Sequence, residues 1–397
     1  MSLSISIVEI LSFVTALIAV AIVHPIVCKV ATRLNVLDNP DARKLQRRPI
    51  PLLGGVAVFF GIMMGLCVAG FATNVNTVFP IVVAMVLMLS VGTADDVVGL
   101  TPSLRFCLEI ATVVALIFIT KSSLNDFHGL WGVCEISRWV SIPLTIFAVV
   151  GVINAINLID GVDGLSSGFC IMASIVFGAV FFYVGNVEMT LLALVSIGAL
   201  IPFFFHNVFG RSSKMFIGDG GTLMMGVVIS SYIVMSITSG TKCELLVERG
   251  FGVIPFTLAV LAVPVFDTLR VMAARIARHT SPFYPDKTHL HHLFIELGFS
   301  HAGTTVSVLT LNSLVLCAWL LAYLLGASID VQLYVVLACG FMITFAFYGF
   351  MKRQIARNTA IYRVMNKLGH LTRIERRGVW LFLQMVADGK QEQDNKA

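Results

Sequence analysis

Charge is what this sequence lacks. Only 12% of its 397 residues are Asp, Glu, Lys or Arg, against 57% hydrophobic, whereas a soluble domain carries about 25% charged residues. That shortage excludes a soluble globular fold and predicts an all-α polytopic membrane protein. Other absences narrow the class. The amino end has no basic region followed by a small-residue cleavage site, so the first apolar run is expected to stay as a transmembrane helix. There is no GxxxxGK[ST], which excludes a P-loop nucleotide site. The eight cysteines contain no CxxC pair. Six of them (Cys28, Cys67, Cys107, Cys170, Cys317, Cys339) lie in or beside apolar runs and are expected as small core residues. Only Cys134 and Cys243 fall in loops on the outer side, where one disulfide could form.

A helix needs roughly 20 residues to cross ~30 Å of hydrocarbon. Eleven spans are predicted: 8–27, 51–72, 78–92, 104–120, 140–157, 166–184, 189–206, 222–239, 252–269, 304–326 and 331–350. An odd number puts the termini on opposite sides, and basic residues mark the cytoplasmic one. The loops and tail on the carboxyl-terminal side hold 23 of the 27 Lys and Arg; the opposite side holds Lys121, Arg138, Lys242 and Arg249. The N-terminus is therefore predicted outside and the C-terminus in the cytoplasm. Residues 1–350 form the multi-span domain and 351–397 a basic cytoplasmic tail. In the tail, Ile361, Val364, Met365 and Leu368 suit an amphipathic surface helix. Some of the basic excess is expected to attract membrane lipid headgroups, while others of Arg43, Lys44, Arg47 and Arg48 could bind a lipid-linked or nucleotide phosphate; nothing predicts a nucleic-acid partner.

What remains polar gathers in four clusters, all on the predicted cytoplasmic side. Asp95-Asp96 follows the third span. Two adjacent carboxylates repel unless a cation holds them; the bland reading is a solvated loop pair or a helix cap. In Asn154-x-x-Asn157-x-x-Asp160-Gly-x-Asp163-Gly, Asn154 and Asn157 share a helix face as i and i+3 residues if the fifth helix continues through Asn157. The glycines at 161 and 164 then favour unwinding, projecting Asp160 and Asp163 into the cytoplasm. Amide and carboxylate oxygens are the hard ligands magnesium prefers, and magnesium bridges to substrate phosphates. The spacing does not match an EF-hand. Gly218-Asp219-Gly220-Gly221 leads into the eighth span, where helix N-terminal amides could cradle an anion beside a metal on Asp219; a tight loop is the bland alternative. His289, His291 and His292 suggest phosphate donors or acid/base groups titrating near pH 6.5, with zinc disfavoured for want of nearby cysteine. Span interiors are nearly free of charge apart from Glu109 and Asp267. A transporter would place its polar site near the midplane, so chemistry at one face is favoured.

These residues resemble the polyprenyl-phosphate N-acetylhexosamine-1-phosphate transferases, glycosyltransferase family 4. The likeness lies in Asp95-Asp96-x-x-Gly99-Leu100, Asn154-Ala-Ile-Asn157-Leu-Ile-Asp160-Gly-Val-Asp163-Gly-Leu165, Gly218-Asp219 and Ser281-Pro282-Phe283-x-Pro285-Asp286-x-x-His289-x-His291-His292, in order from about Lys44 to His292. The resemblance implies transfer of a HexNAc-1-phosphate from a UDP-sugar to undecaprenyl phosphate with release of UMP, at the cytoplasmic side of a bacterial inner membrane. It implies that Asp95 and Asp96 deprotonate or orient the lipid phosphate. Asp219 would ligate Mg2+ (or Mn2+), and Asn157 and Asp160 would complete the metal and diphosphate site. Asp163 and Phe216 would hold the uridine end. Lys44 and the histidines, mainly His291 and His292, would bind phosphates, with Asn154, Gly218 and His289 also at the substrate. A homodimer is compatible with it. Gln46 and Lys287 depart from the residues common in relatives, which bears on subgroup more than on reaction. The histidine loop looks like the UDP-GlcNAc subgroup, which initiates surface glycans such as O-antigen; the alternatives are phospho-MurNAc-pentapeptide transfer in peptidoglycan synthesis and, in another class, a lipid or solute transporter.

Overall fold

The computed structural model describes residues 6–38, 48–70, 76–281, 287–373 and 378–389. In chain order the elements are α1 (Ile7–Arg33), β1 (Leu37–Asp38), β2 (Ile50–Pro51), α2 (Gly54–Gly70), α3 (Phe79–Val98), α4 (Pro102–Thr120), α5 (Arg138–Leu158), α6 (Leu165–Tyr183), α7 (Val187–Phe209) and α8 (Gly218–Ile237). There follow α9 (Glu244–Val247), α10 (Val253–Val260), α11 (Ala262–Ala277), α12 (Leu290–Glu296), α13 (His301–Leu324), α14 (Ile329–Phe341), a π-helical turn Met342–Phe347, α15 (Tyr348–Ala356), α16 (Ala360–Leu371) and α17 (Gly378–Asp388). Nine helices among the described residues are long and apolar enough to cross a membrane, or ten if α10 and α11 together make one span. The predicted second span corresponds to α2, which has 17 residues.

The chain forms two compact units. The first comprises the described parts of 1–121, 167–231 and 374–397. Its centre is α1, α2 and α7, which meet through small residues: a Cβ on Gly61 would strike Val20 and Ala16, one on Gly65 would strike Val195 and Ser12, and one on Gly198 would strike the Phe13 carbonyl. Lipid tails offer no hydrophobic drive between helices, so close approach of this kind supplies the packing. The opposite face of α1 (Ile10, Leu11, Ile18, Ile22, Ile26) is exposed and apolar, as a lipid-facing surface must be. β1 and β2 pair antiparallel, Leu37 with Pro51 and Asp38 with Ile50.

α17 belongs to this unit. Asp388 at its end accepts hydrogen bonds from the backbone N–H groups of Arg211 (3.0 Å), Ser212 (3.1 Å) and Ser213 (3.0 Å) and from the Ser213 hydroxyl (2.9 Å). Burial would push its carboxyl up, but these donors outweigh burial and hold it below the usual range. Trp380 packs on Phe209, ring centroids 4.8 Å apart.

The second unit comprises 122–166 and 232–373. Its main departure from the predicted spans is at 252–269, where α10 and α11 meet at a 75° bend rather than running straight. Pro264 has no N–H and its ring clashes with the carbonyl four residues back, that of Val260. Asn312, buried on α13, takes up both freed groups: its Nδ2 donates to the Val260 carbonyl (2.9 Å) and its Oδ1 accepts from the Val263 N–H (2.9 Å). The break therefore leaves these two groups satisfied. Cys134 and Cys243 are both free thiols, so the disulfide considered for them is not formed. Burial pushes the Cys243 thiol up to about 11. α16 presents Ile361, Val364 and Leu368 outward, the face of an amphipathic surface helix.

Candidate active site

In the first unit, α3 carries Asp95 and Asp96 in its last turn. The helix runs past the predicted end of the span at Gly92, because Gly99 is the residue that stops it, at φ +74°. Only glycine adopts that conformation cheaply. Asp95 secures the reversal: its Oδ1 accepts from the Leu100 N–H at 2.7 Å. Thr101 caps α4 and Pro102 occupies its first turn, which brings Arg105 back over the carboxylates. Arg105 Nη1 lies 3.0 Å from Asp95 Oδ2 and 2.9 Å from Asp219 Oδ2, while its Nε lies 3.2 Å from Glu109 Oε1. Glu109 is fully buried. The two acids of α3 are therefore neither a solvated loop pair nor a simple cap.

Asp219 is held by its backbone. The Phe216 N–H donates to the Pro51 carbonyl (2.8 Å), and the Gly54 and Gly55 N–H groups donate to the Phe216 (3.0 Å) and Ile217 (2.8 Å) carbonyls. Gly218 sits at φ +72°, and a Cβ there would run into the Leu52 carbonyl and Asp96 Oδ2. α8 begins at Gly218, so the glycines form its first turn rather than a preceding loop. Asp96 Oδ2 accepts from the Gly220 N–H at 3.4 Å, at a helix N-terminus whose amides have no partner within the helix and favour an anion.

Among the described residues three carboxylates, Asp95, Asp219 and Glu109, share this one guanidinium, so carboxylate exceeds guanidinium. Among the described residues no three His, Cys, Asp or Glu side chains form a closed metal cage. Magnesium needs none, since it binds through one or two carboxylates while keeping waters and taking substrate phosphates. Asp95 and Asp219, already turned toward one cationic nitrogen, fit that requirement.

In the second unit, α5 continues through Asn157, the condition for Asn154 and Asn157 to share a face, and the chain then unwinds. Asn154 Nδ2 donates to the Val150 carbonyl (2.9 Å), the Asp160 N–H to the Asn157 carbonyl (3.1 Å), and the Ser166 hydroxyl to Asp160 Oδ1 (2.5 Å). Asp163 Oδ2 lies 2.7 Å from His301 Nδ1, and its carbonyl accepts from the Thr305 hydroxyl at 2.8 Å.

The histidine cluster meets this turn, because Gly161 abuts His291 so closely that a Cβ would collide with Nε2. His291 stacks on His289 with centroids 5.7 Å apart and lies 4.2 Å from the His292 ring. His289 Nδ1 pairs with buried Asp267 at 2.9 Å, and Asp267 also accepts from Arg270 Nη2 at 2.6 Å and the Leu290 N–H at 3.0 Å. Among the described residues the buried Nε2 of His289 has no hydrogen-bond partner.

His291 departs from the expected titration near pH 6.5. Burial first, then the neighbouring His292 and His289, drive it well below that value despite Asp267, so it stays neutral in the fold. An unfolded histidine takes a proton below about 6.5. Stability should therefore be lost as pH falls below about 6.5, by up to ~1.4 kcal/mol per pH unit or about 2 °C in unfolding midpoint for a chain of this length. Thermal scans at pH 7.5 and 5.5 should show a smaller drop for His291→Asn than for the wild type; equal drops would count against a neutral His291.

The structure thus gathers Asp95, Asp96, Phe216, Gly218 and Asp219 in one unit, and Asn154, Asn157, Asp160, Asp163, His289, His291 and His292 in the other. Lys44 lies outside the described residues, as does the Pro282–Asp286 part of the histidine loop. Sequence reasoning missed Arg105, Asp267 and His301 as partners of these groups. Glu109 and Asp267 carried the available signal, since an acid in an apolar span implies a buried partner.

Fold and site define an all-α polytopic membrane protein with acidic and histidine clusters at helix ends. The family model described as glycosyl transferase family 4 matches residues 78–237, which include both aspartate motifs and Asp219. A probable undecaprenyl-phosphate N-acetylglucosaminyl 1-phosphate transferase of Bacillus subtilis (strain 168) is 30% identical over 294 residues, 74% of this chain and 78% of the relative. Undecaprenyl-phosphate alpha-N-acetylglucosaminyl 1-phosphate transferases of Salmonella typhi and Escherichia coli (strain K12) are each 27% identical, covering 86% of this chain and 90% of theirs. The chain belongs to glycosyl transferase family 4, among the polyprenyl-phosphate N-acetylhexosamine-1-phosphate transferases its motifs resemble.

Proposed function

We propose that this enzyme transfers N-acetylglucosamine-1-phosphate from UDP-N-acetylglucosamine to undecaprenyl phosphate at the cytoplasmic face of a bacterial inner membrane. The observation that carries the reading is the convergence of Asp95 and Asp219 on the Arg105 guanidinium, with Asp96 held beside them by the Gly220 N–H, in a chain whose relatives are named for this acceptor and sugar. An oxygen of the acceptor phosphate forms a new bond to the sugar-bearing phosphorus, and the bond from that phosphorus to the bridging oxygen breaks, releasing UMP. Asp95 and Asp96 orient the acceptor phosphate and take its proton. Asp219 holds magnesium or manganese, which when bound neutralises the donor diphosphate and polarises it. Asn157 and Asp160 serve the metal and diphosphate, and Asp163 and Phe216 the uridine end. Asn154 and Gly218 lie at the substrate, and Lys44, His289, His291 and His292 bind phosphates.

The sidedness rests on the basic residues, 23 against four. With α2 and the bent α10–α11 pair each crossing once, the spans number eleven, the N-terminus lies outside and the tail 351–397 is cytoplasmic. A polyprenyl acceptor stays in the bilayer and a UDP-sugar in the cytosol, so the two phosphates can meet only at this interface.

The test is UMP release by the purified protein with undecaprenyl phosphate, magnesium and either UDP-GlcNAc or UDP-MurNAc-pentapeptide. Release with UDP-GlcNAc, lost on omitting lipid or metal, is expected. Release with the pentapeptide donor alone would move the enzyme to peptidoglycan synthesis, and none with either donor would reopen the choice of sugar.

A further inference from the structure

Arg105 and Glu109 have no part in the roles above, yet they sit at the centre of the carboxylate cluster. One nitrogen, Arg105 Nη1, serves Asp95 and Asp219 together, at 3.0 and 2.9 Å, and the Nε is drawn the other way by Glu109 at 3.2 Å. A guanidinium does not lose its charge in a protein, so the pair never lacks a cation. Asp95 has already committed its Oδ1 to Leu100; its Oδ2 is the one Arg105 takes. Asp219 remains approachable, with its side chain 36% exposed against 0% for Glu109.

We propose that Arg105 is the resident counter-cation of the Asp95–Asp219 pair and sets how tightly that pair takes a divalent metal, with Glu109 fixing how much of its charge the pair feels. The proposal rests on the reading of Asp219 as a metal ligand. Without Arg105, the carboxylates at the ends of α3 and α8 would repel one another before any substrate arrived. With it they stay together, but an incoming metal must share them with a positive charge. Affinity is thereby held down, which suits a metal that exchanges with the diphosphate it accompanies. Glu109 neutralises part of Arg105 from a buried position, where screening by water is weak, and so relieves that opposition.

An ordinary structural ion pair makes the opposite prediction, since its loss would leave metal binding unchanged or weaker. The measurement is titration of the full-length detergent-purified protein with Mn2+ alone, without donor or acceptor, with free Mn2+ counted by electron paramagnetic resonance. Arg105→Gln should bind Mn2+ about tenfold more tightly while turning over more slowly, as expected for removing a unit charge beside a cation site. Glu109→Gln should bind it about threefold more weakly, because Arg105 then loses the buried carboxylate that offsets its charge at the pair. Unchanged or weaker binding in Arg105→Gln overturns the proposal. Should that variant fail to fold, Glu109→Gln decides, and unchanged or tighter binding there overturns it. Asp219→Asn separates the two layers. If its Mn2+ binding equals wild type, the metal reading falls and takes this proposal with it. If it loses binding while Arg105→Gln matches wild type, only the proposal falls.

Discussion

Asp219→Asn is expected to lower kcat for UMP release on the order of 10³-fold at saturating magnesium, the scale on which a preorganised electrostatic stabiliser of the transition state acts. The substitution keeps the shape of the side chain. Its carboxamide oxygen can still accept from Arg105, now 2.9 Å from Asp219 Oδ2, and the backbone clamp from Pro51 to Gly55 on residues 216 and 217 is untouched. The fold should survive with an unfolding midpoint near that of the wild type. What is lost is one negative charge in a cluster whose excess of carboxylate over guanidinium is its capacity to hold a metal. The loss should fall mainly on kcat rather than on KM for the donor, as for an interaction that matters most in the transition state. Near-normal turnover in a folded Asp219→Asn enzyme would remove this residue from the metal site.

How much of this was legible in the sequence depends on how local each signal is. Long apolar runs without charge are local, and α1, α4, α5 and α7 appear close to where hydropathy put them. The turn after Asn157 was equally legible, because Gly161 and Gly164 state it directly. Helix ends were less so: the apolar run stops at Gly92, but backbone hydrogen bonding carries α3 on until Gly99, placing Asp95 and Asp96 inside the helix. The bend between α10 and α11 had a visible cause in Pro264. What permits it, the Asn312 amide, lies 49 positions from Val263, and no periodicity reports a partner at that range. The same holds for Arg105 and Asp219, 114 positions apart, and for Asp163 and His301, 138 apart. Composition told that the acids must be paired. Only the folded chain tells with what.

Gly92→Ala should be the second most damaging change, although it alters no chemical group in the site. Gly92 lies one turn before Asp96 on α3 and faces the first turn of α8. A Cβ there would overlap the Asp219 carbonyl carbon and oxygen and the Gly220 nitrogen. All three are backbone atoms, so no side-chain rotation can relieve the clash, and either α3 or the start of α8 must shift. In stability the effects partly cancel: overpacking costs about 1–3 kcal/mol, while alanine in place of glycine in a helix returns about 1 kcal/mol. Turnover has no such compensation, because a displacement of about 1 Å between catalytic groups can cost on the order of 10²-fold. The expected result is therefore a folded protein, shifted little in unfolding midpoint, with kcat down about 100-fold. Gly151→Ala, on α5 with open space around the position of its Cβ, supplies the comparison: it makes the same helical glycine replacement and should leave turnover at the wild-type level. If Gly92→Ala matched Gly151→Ala in both stability and kcat, the close approach of α3 to the Asp219 backbone could not be what sets the geometry of the carboxylate cluster.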